Sequence, residues 1–302
     1  MSVAAPPGHG KGTMVEEYGN GLRLVRAPNP SPMTFTGTNT WLLGREAVCV
    51  IDPGPDLDSH LDAILAATGG RVSHIVVTHG HLDHSALAPR LARETGAPLL
   101  GFGGPGAGRS AAMQALAEAG LEGGGEGIDR AFTPDVLVAD GDRIDGDGWA
   151  LDVLHTPGHL GNHVCLRLDD TIFSGDTVMG WASTLISPPD GDLTDFMTSL
   201  ARLRALAPRR LLPGHGAPVE DALARIDWMI AHRQARETAI VEALARGPAT
   251  AAGLTARVYS DTPAALLPAA ERNVLAHLVD LMGKSRVAAQ APLGPDTVFA
   301  LT

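Results

Sequence analysis

The densest group of potential metal ligands in this sequence is the segment Thr78-His79-Gly80-His81-Leu82-Asp83-His84, which directly follows the apolar run Ile75-Val76-Val77. His79 and His81 are two positions apart in an extended segment, so their side chains project to the same side. Asp83 and His84 follow where the chain can turn into a helix, and they can be directed at a second point nearby. This spacing predicts a two-metal site with hydrolytic chemistry.

A single histidine is usually an ordinary surface or core residue, so the cluster is persuasive only if further ligands occur elsewhere. Three other short turns supply them, each just past an apolar, strand-like run. Glycine beside each candidate lets the backbone approach closely, and loops at strand ends are common places for functional sites. The three turns are His155-Thr156-Pro157-Gly158-His159, Ser174-Gly175-Asp176 and Pro213-Gly214-His215.

In this order, the motifs His-x-His-x-Asp-His, Pro-Gly-His, Ser-Gly-Asp and Pro-Gly-His resemble the pattern of the metallo-β-lactamase-fold hydrolases. The resemblance implies a complete ligand set, in which Asp83 and Asp176 are also the candidate catalytic carboxylates. Asp52, in Val50-Ile51-Asp52-Pro53-Gly54, matches an earlier Asp-x-Gly element of that family and is expected behind the ligands, where it would orient a ligand histidine or shape the loops. By this resemblance the first metal ion is held by His79, His81 and His159, the second by Asp83, His84 and His215, and Asp176 bridges the two.

Such a ligand set has a direct chemical use. Two divalent cations roughly 3.5–4 Å apart can share a bridging water and lower its pKa, which yields hydroxide near neutral pH. The same ions polarise the substrate oxygen and stabilise the charge that develops in the transition state. Imidazole and carboxylate ligands without thiolate suit zinc, but also iron or manganese. We therefore expect two divalent ions, with zinc as the first choice, and attack of the bridging hydroxide on an ester, thioester or lactone.

Composition agrees with an enzyme that acts on a small molecule. The chain has 302 residues, 44% of them apolar, and its 23 basic and 34 acidic residues give a formal net charge of −11. A protein this acidic is not an obvious binder of polyanions. Cys49 and Cys165 lie between apolar neighbours, which predicts buried free thiols and favours a reducing compartment.

The expected location is cytoplasmic, without membrane association. No stretch approaches the ~18 uninterrupted apolar residues of a membrane-spanning helix. The start, Met1–Met14, is rich in glycine and proline and lacks the apolar core of a secretory signal.

Up to about Val219, strand-like and helical segments mix without regular alternation, which predicts an α+β fold of two sheets flanked by helices. The family that the motifs resemble has this four-layer αββα sandwich. Predicted strands are Leu22–Arg26, Thr40–Leu43, Ala47–Ile51, Val72–Thr78, Pro98–Gly101, Val136–Val138, Trp149–Leu154, His163–Leu168 and Thr171–Phe173, and predicted helices are His60–Ala67, Ser85–Glu94, Ser110–Ala119 and Asp192–Leu206, the last with Asp192 as its N-cap.

From residue 220 the chain is mostly helical and ends in a short β-like tail. Its segments His232-Arg233-Gln234-Ala235-Arg236-Glu237 and Asn273-Val274-Leu275-Ala276-His277-Leu278 resemble the C-terminal winged-helix domain of one subgroup, the β-lactamase-like protein 2 type. We expect a catalytic domain over residues 1–219 and a small winged-helix-like domain over residues 220–302. Its predicted elements are helices Glu220–Arg246, Thr250–Val258 and Pro268–Met282, with a hairpin of Ser285–Ala289 and Thr297–Leu301.

Three further residues near the motifs have two interpretations each. His163 is either a donor behind the metal ligands or a satisfied core histidine. Asn39 either contacts substrate or satisfies backbone groups in a turn. Trp181, in the segment after Asp176, either forms a substrate-facing wall or is buried beneath its own loop.

The winged-helix resemblance raises nucleic acid as a partner. A DNA-recognition helix normally presents a basic face, whereas the predicted third helix carries Arg272 against Glu271 and Asp280. We therefore expect no sequence-specific DNA binding, and instead a module that covers the active site or pairs two subunits in a homodimer.

Three reactions fit the ligand set. Hydrolysis of a small ester, thioester or lactone is preferred, since Thr-His-x-His-x-Asp-His resembles the motif of hydroxyacylglutathione thioesterases, although their different C-terminus makes glutathione thioesters doubtful substrates. RNA cleavage is the alternative, because the winged-helix subgroup includes an endoribonuclease. Iron-dependent oxygenation of persulfides is disfavoured by the complete second ligand set, which includes His84 and His215.

Overall fold

The computed structural model describes residues 15–125 and 127–302. The glycine- and proline-rich start, on which the prediction about a secretory signal depends, lies outside the described residues. The first of two large sheets has seven strands, antiparallel at its beginning and parallel from the fourth strand onward. In order across the sheet these are β1 (Val15–Glu17), β2 (Leu22–Arg26), β3 (Asn39–Leu43), β4 (Val48–Ile51), β5 (Val72–Val76), β6 (Leu99–Gly101) and β7 (Val136–Leu137).

The second sheet has five strands in the order β12-β11-β10-β9-β8. Neighbouring strands are antiparallel except for the parallel pair β11 and β12. Its strands are β8 (Arg143–Asp145), β9 (Ala150–His155), β10 (Val164–Leu168), β11 (Thr171–Gly175) and β12 (Arg210–Pro213).

Period-two alternation explains how the sheets stack, because successive strand side chains point to opposite faces. In β3, Trp41 belongs to the core between the two sheets, whereas Leu42 belongs to the core on the outer face of the first sheet. In β10, Leu166 packs between the sheets and Cys165 packs on the outer face of the second sheet. Each sheet therefore has two buried faces.

Helices cover both outer faces. Ile64 and Leu91 pack on the first sheet and Phe196 packs on the second, which confirms the predicted αββα arrangement. Asp192 caps the last of these helices by accepting from Thr194 N at 2.8 Å, as predicted. The helices are α1 (Asp58–Thr68), α2 (Leu82–Ser85), α3 (Ala88–Thr95), α4 (Ala111–Glu118) and α5 (Leu193–Ala205).

The helix predicted at Ser85–Glu94 is present as α3, but it begins three residues later than predicted, because α2 ends at Ser85 and the two helices are separate. Pro89 lies in the first turn of α3 and has no backbone N–H for the carbonyl of Ser85. The N–H of Leu87 turns away from the helix and donates to Gly54 O at 3.0 Å.

The C-terminal part forms the winged-helix arrangement expected from the sequence, with a small sheet in the order β13-β15-β14. Ala270, Val274, Leu278 and Leu281 recur at helical spacing on its last helix, and all four are buried. The elements are α6 (Ala222–Leu244), β13 (Ala249–Thr250), α7 (Ala251–Val258), a 3-10 turn at Ala264–Leu266, α8 (Leu267–Gly283), β14 (Val287–Ala289) and β15 (Val298–Leu301).

Helix α6 belongs to both parts of the chain. Ile226 and Met229 pack in the core under the second sheet, whereas Ile240 and Leu244 pack in the C-terminal core. The boundary between residues 219 and 220 stays a prediction, because this helix contributes to two cores.

Cys49 and Cys165 are both buried and free, as predicted, and burial raises the pKa of the Cys49 thiol far above its usual value. Across the described residues, no helix combines the length and the apolar character that crossing a bilayer requires.

Candidate metal centre

All seven predicted ligands meet at one edge of the two stacked sheets. Their chain positions explain this, because each follows a strand that ends at that edge. His79 and His81 follow β5 and lead into α2, which carries Asp83 and His84, while His159, Asp176 and His215 follow β9, β11 and β12. The side chains form three overlapping groups, each with ligand atoms within 4.8 Å of one another, namely His79 with His81 and His159, His79 with His84 and Asp176, and Asp83 with His84 and His215.

The first group consists of imidazoles alone. His81 Nδ1 lies 3.0 Å from His79 Nε2 and 3.0 Å from His159 Nε2. All three rings are buried. His159 Nδ1 donates to the carbonyl of Leu185 at 2.7 Å, so its Nε2 is left with a lone pair directed at the group.

The combination of His79, His84 and Asp176 joins two outer groups, of which the second, Asp83 with His84 and His215, combines one carboxylate with two imidazoles. His215 Nε2 lies 3.2 Å from Asp83 Oδ2 and 3.2 Å from His84 Nε2. His84 is buried, whereas Asp83 keeps about 30% of its side chain exposed toward solvent. This group is therefore the more accessible of the two.

Asp176 lies between the two groups. Its Oδ2 is 3.8 Å from His159 Nε2 and 3.5 Å from His215 Nε2, and its Oδ1 is 3.6 Å from His84 Nε2. A Cβ on Gly214 would come within 2.6 Å of both Asp176 Oδ1 and His84 Cε1, so only glycine permits this approach. The arrangement is that of a shared carboxylate.

The donor set fits divalent cations. Asp176 Oδ1 is buried and has no hydrogen-bond partner among the described residues. Burial of an ionised oxygen without a hydrogen bond or a cation is strongly unfavourable in free energy. His81 Nδ1 lies 3.0 Å from two other imidazole nitrogens, and one proton on it could be donated to only one of them. A lone pair is therefore left facing another lone pair, which a cation between them would relieve. Nitrogen and carboxylate oxygen atoms without thiolate suit zinc, iron or manganese.

The first group is electrically neutral. Burial lowers the pKa of His81 to about 3, with the neighbouring imidazole of His159 adding to the effect. Burial likewise lowers the pKa values of His79 and His159. These rings therefore offer unprotonated nitrogens at neutral pH, which is the form that binds metals.

The second group holds charge. Burial opposes the charged form of His215, but Asp176 and Asp83 outweigh it and raise its pKa to about 9. The Asp176 carboxyl is affected in the reverse sense, since His215 and His84 outweigh burial and hold its pKa well below the usual range. Positive charge is stabilised here, whether carried by a proton or by a cation.

Asp52 lies behind the ligands, where the sequence predicted it. Its Oδ2 accepts from His84 Nδ1 at 2.9 Å, and its two oxygens accept from the N–H and hydroxyl of Thr78. The Thr78 hydroxyl lies 3.0 Å from His79 Nδ1, so one carboxylate reaches a histidine of each group. Thr78 opens the histidine motif, but its role was not predicted.

His163 and Asn39 hold backbone beside the ligands. Asp176 N–H donates to the buried ring of His163 at 3.2 Å. Asn39 Nδ2 donates to the carbonyls of Pro213 and Gly216, on both sides of His215. Both therefore fix loops, and Asn39 does so from the first position of β3, where it satisfies backbone groups.

Trp181 occupies a different place from the predicted wall. It stacks on Phe35 with ring centroids 4.9 Å apart, and it packs against Gly216 behind the loop that carries His215. Among the described residues, the lining of the cleft over the ligands does not include Trp181. The packing of its large ring on a second aromatic ring explains this position.

A cleft of about 640 Å³ opens over the ligands. Met33 and Leu82 lie at its mouth, each with 47% of its surface exposed. Its far wall is the start of α8, including Pro268 and Ala269, so the C-terminal part covers the site. These apolar wall residues were missed from the sequence, because no local motif marks them.

Comparisons with known proteins were consistent with this geometry. Residues 33–215 match the family profile described as the metallo-beta-lactamase superfamily, and residues 250–291 match the beta-lactamase associated winged helix domain. A Drosophila melanogaster protein named beta-lactamase-like protein 2 homolog is 33% identical over 279 residues, covering 87% of this chain and 89% of that protein. An Aspergillus fumigatus protein named atrochrysone carboxyl ACP thioesterase is 30% identical over 285 residues, covering 87% of this chain and 80% of that protein.

Solved structures give the same picture. A beta-lactamase domain protein from Burkholderia ambifaria superposes with a TM-score of 0.78 at 25% identity, covering 95% of this chain and 93% of that one. The protein TTHA1623, solved in a di-iron-bound form, superposes with a TM-score of 0.50 at 28% identity, covering 65% of this chain and 96% of that one.

Proposed function

The chain belongs to the metallo-beta-lactamase superfamily and is a metal-dependent hydrolase, and we propose that it uses two divalent cations to hydrolyse an ester, thioester or lactone. The observation that carries the proposal is the convergence of five imidazoles and two carboxylates into two ligand groups that share Asp176. The orphaned buried oxygen of Asp176 supports it independently.

Each residue has a distinct role in the proposal. His79, His81 and His159 would hold one cation, Asp83, His84 and His215 the other, and Asp176 both. The cations would supply an activated water and polarise the substrate oxygen. Asp83 lines the cleft and is partly exposed, so its carboxylate can accept a proton from the reacting water and release it to the leaving group.

For the native metal we propose zinc, because the donors are imidazole and carboxylate without thiolate. Iron is the alternative, supported by the similarity to TTHA1623 in its di-iron-bound form. Metal analysis of protein purified without chelators distinguishes the two and should give close to two ions per chain.

For the substrate we propose an acyl group with an apolar portion, preferably in thioester linkage. Met33, Leu82, Leu185, Pro268 and Ala269 provide an apolar wall around the ligands. The similarity to the Aspergillus fumigatus thioesterase supports the linkage.

The charge of the cleft opposes an RNA substrate. Among the described residues that line it, Arg272 is the one arginine or lysine, and it donates to Ser187 Oγ at 2.8 Å and to the carbonyl of Pro188. Glu271 and Asp83 are acidic neighbours. A phosphodiester backbone would meet no cluster of basic side chains there.

A substrate panel tests the proposal. The metal-loaded protein is incubated with acyl thioesters, esters, lactones and single-stranded RNA, and each product is quantified before and after chelation. We expect chelator-sensitive turnover of acyl substrates. RNA cleavage that disappears in His81→Ala, with no acyl turnover, would reverse the choice of substrate.

Replacing Met33 by serine should reduce the preference for long acyl chains. Each methylene buried against the cleft contributes about 0.8 kcal/mol, so we expect kcat/KM of the parent to rise up to about fourfold per methylene until the cleft is filled. The rise should be shallower in Met33→Ser. The measurement is kcat/KM over a series of straight-chain thioesters.

A matched control is Leu137→Ser on β7, since Leu137 is 69% exposed and does not line the cleft. Its chain-length profile should equal that of the parent. Identical profiles for all three proteins would show that Met33 does not contact the acyl group.

The stabilisation that metal gives should grow with pH. In the metal-free protein the raised pKa of His215, about 9 against an ordinary 6.5, makes its pairing with carboxylates fully stabilising below about pH 6.5, and this stabilisation is lost as the pH rises through about 9. A cation needs the unprotonated ring, so metal binding displaces this proton and strengthens over the same interval. Calorimetry should show the difference in melting temperature between zinc-loaded and chelator-treated protein widening from about pH 6.5 to about pH 9. A constant difference would mean that His215 loses no proton on metal binding.

A further inference from the structure

The segment Thr184–Pro188 lies between the metal centre and the C-terminal helices. On its inner side, the carbonyl of Leu185 accepts from His159 Nδ1 at 2.7 Å. The Thr184 hydroxyl donates to the carbonyl of Asp176 at 2.8 Å. The segment therefore orients two of the candidate ligands.

The C-terminal helices hold the same segment from its outer side. Asn273 Oδ1, on α8, accepts from Ile186 N–H at 3.1 Å and from Arg233 Nη1, on α6, at 2.9 Å. The other terminal nitrogen of Arg233 donates to the carbonyl of Thr184. Arg233 is only 2% exposed, and its guanidinium lies 5.4 Å from the ring centroid of Phe196.

One peptide unit connects the two sides. The peptide between Leu185 and Ile186 accepts from His159 through its carbonyl and donates to Asn273 through its N–H. A peptide whose N–H is hydrogen-bonded becomes a stronger acceptor at its carbonyl, because the bonds polarise one another. A histidine whose Nδ1–H is held by a strong acceptor is better oriented and presents a more basic Nε2 to a cation.

Simple packing between the two parts explains Arg233 poorly. Within the described part of the chain, Arg233 has no carboxylate partner, and its Nε lacks a hydrogen bond. A buried guanidinium without a carboxylate is less favourable than an apolar side chain of similar volume. Its bonds go to the Thr184 carbonyl and to Asn273, and both of these hold the segment that faces the ligands.

We propose that Asn273 and Arg233 are positioning residues for His159, acting through the Leu185–Ile186 peptide, so that the C-terminal helices set the affinity of the His79–His81–His159 position for its cation. The inference rests on the proposed two-metal function.

The test removes the acceptor at Asn273. Asn273→Leu has a similar volume but cannot bind Ile186 N–H. Metal-free protein is titrated with Zn²⁺ and Co²⁺ against a competing chelator, and the visible absorption of bound Co²⁺ is recorded. We expect one of the two cations to bind about 10- to 100-fold more weakly with an altered Co²⁺ spectrum, while the other binds as in the parent.

Two further variants make the result specific. Asn273→Asp keeps a side-chain oxygen for Ile186 and Arg233, so it should restore parental affinity. Arg236→Met changes an arginine on α6, the helix of Arg233, whose contacts, with Val258 O at 3.0 Å and the Tyr259 ring at 4.4 Å, stay inside the C-terminal part. Its two cation affinities should equal those of the parent.

The outcomes are separable. If Asn273→Leu binds both cations as tightly as the parent does, the inference is overturned. It is also overturned if both cations bind more weakly, and to the same extent, in Asn273→Leu and in Arg236→Met. If Asn273→Leu does not fold, Asn273→Ser, which is too short to reach Ile186, replaces it with the same expectation. A parent protein that takes up no cation would instead overturn the proposed function itself.

Discussion

Asp176→Ala should lower kcat/KM for the best substrate by roughly 10³-fold, since several kcal/mol of transition-state stabilisation depend on the shared cation pair and each ~1.4 kcal/mol is worth a factor of ten. Among the residues that the structure describes, Asp176 is the one carboxylate within 3.8 Å of imidazoles from both groups. Its loss also leaves the positive charge of the second group less compensated. The measurements are steady-state hydrolysis and the metal content of the variant.

The matched control for this variant is Asp170→Ala, which removes an exposed carboxylate that pairs with Arg209 at 3.0 Å on the surface. It should keep parental turnover and metal content. Parental turnover in Asp176→Ala would contradict a two-metal mechanism, whatever its metal content.

Asp52→Asn should weaken metal binding by about 10- to 100-fold, with turnover falling in parallel at limiting metal. The Asp52 carboxylate accepts a hydrogen bond from His84 Nδ1–H at 2.9 Å, which leaves His84 Nε2 free to bind a cation. An amide nitrogen at this position donates instead, so His84 would carry its proton on Nε2, where it blocks binding. Chelator competition measures the affinity.

Asp56→Asn provides the comparison for this second variant, because Asp56 follows Asp52 closely in the chain but pairs with Arg90 on the surface. Its metal affinity should match the parent. Equal affinity in Asp52→Asn would show that the tautomer of His84 is set by another group.

The ligand positions could be predicted from the sequence because each is marked by residues close to it in the chain. Each ligand segment follows an apolar strand-like run, and glycine within the segment or next to it permits a tight approach such as that at Gly214. Strands that end at one edge of a sheet then bring distant segments together. The same locality explains the correct layers, since alternation along strands such as β3 and β10 divides their side chains between two cores.

Contacts between distant segments could not be predicted from the sequence. Asn273 is 87 residues from its partner Ile186, and no motif at either end indicates the bond. The apolar cleft wall was missed for the same reason, since Met33 and Pro268 become neighbours only through folding. Trp181 was misplaced for a related reason. A tryptophan that follows a ligand in the sequence is expected to pack, but the sequence does not indicate whether it packs on the cleft or behind the ligand loops.

Short strands were also missed where pairing, rather than pattern, forms them. Strand β1 has three residues, and Val15 pairs with Val25 of a well-patterned neighbour. Strand β13 has two residues and joins the small sheet through Phe299 and Val298 of β15. Two or three residues cannot display a period of two.

Helix α6 has a consequence for engineering of the chain. Because Ile226 serves one hydrophobic core and Ile240 the other, heating should melt both halves in one cooperative transition. A graft that exchanges the C-terminal half for a relative's should therefore splice within this helix, between its two apolar patches. A junction placed before the helix would replace Ile226 and Met229 by the relative's residues, which would then have to pack against the second sheet of this chain.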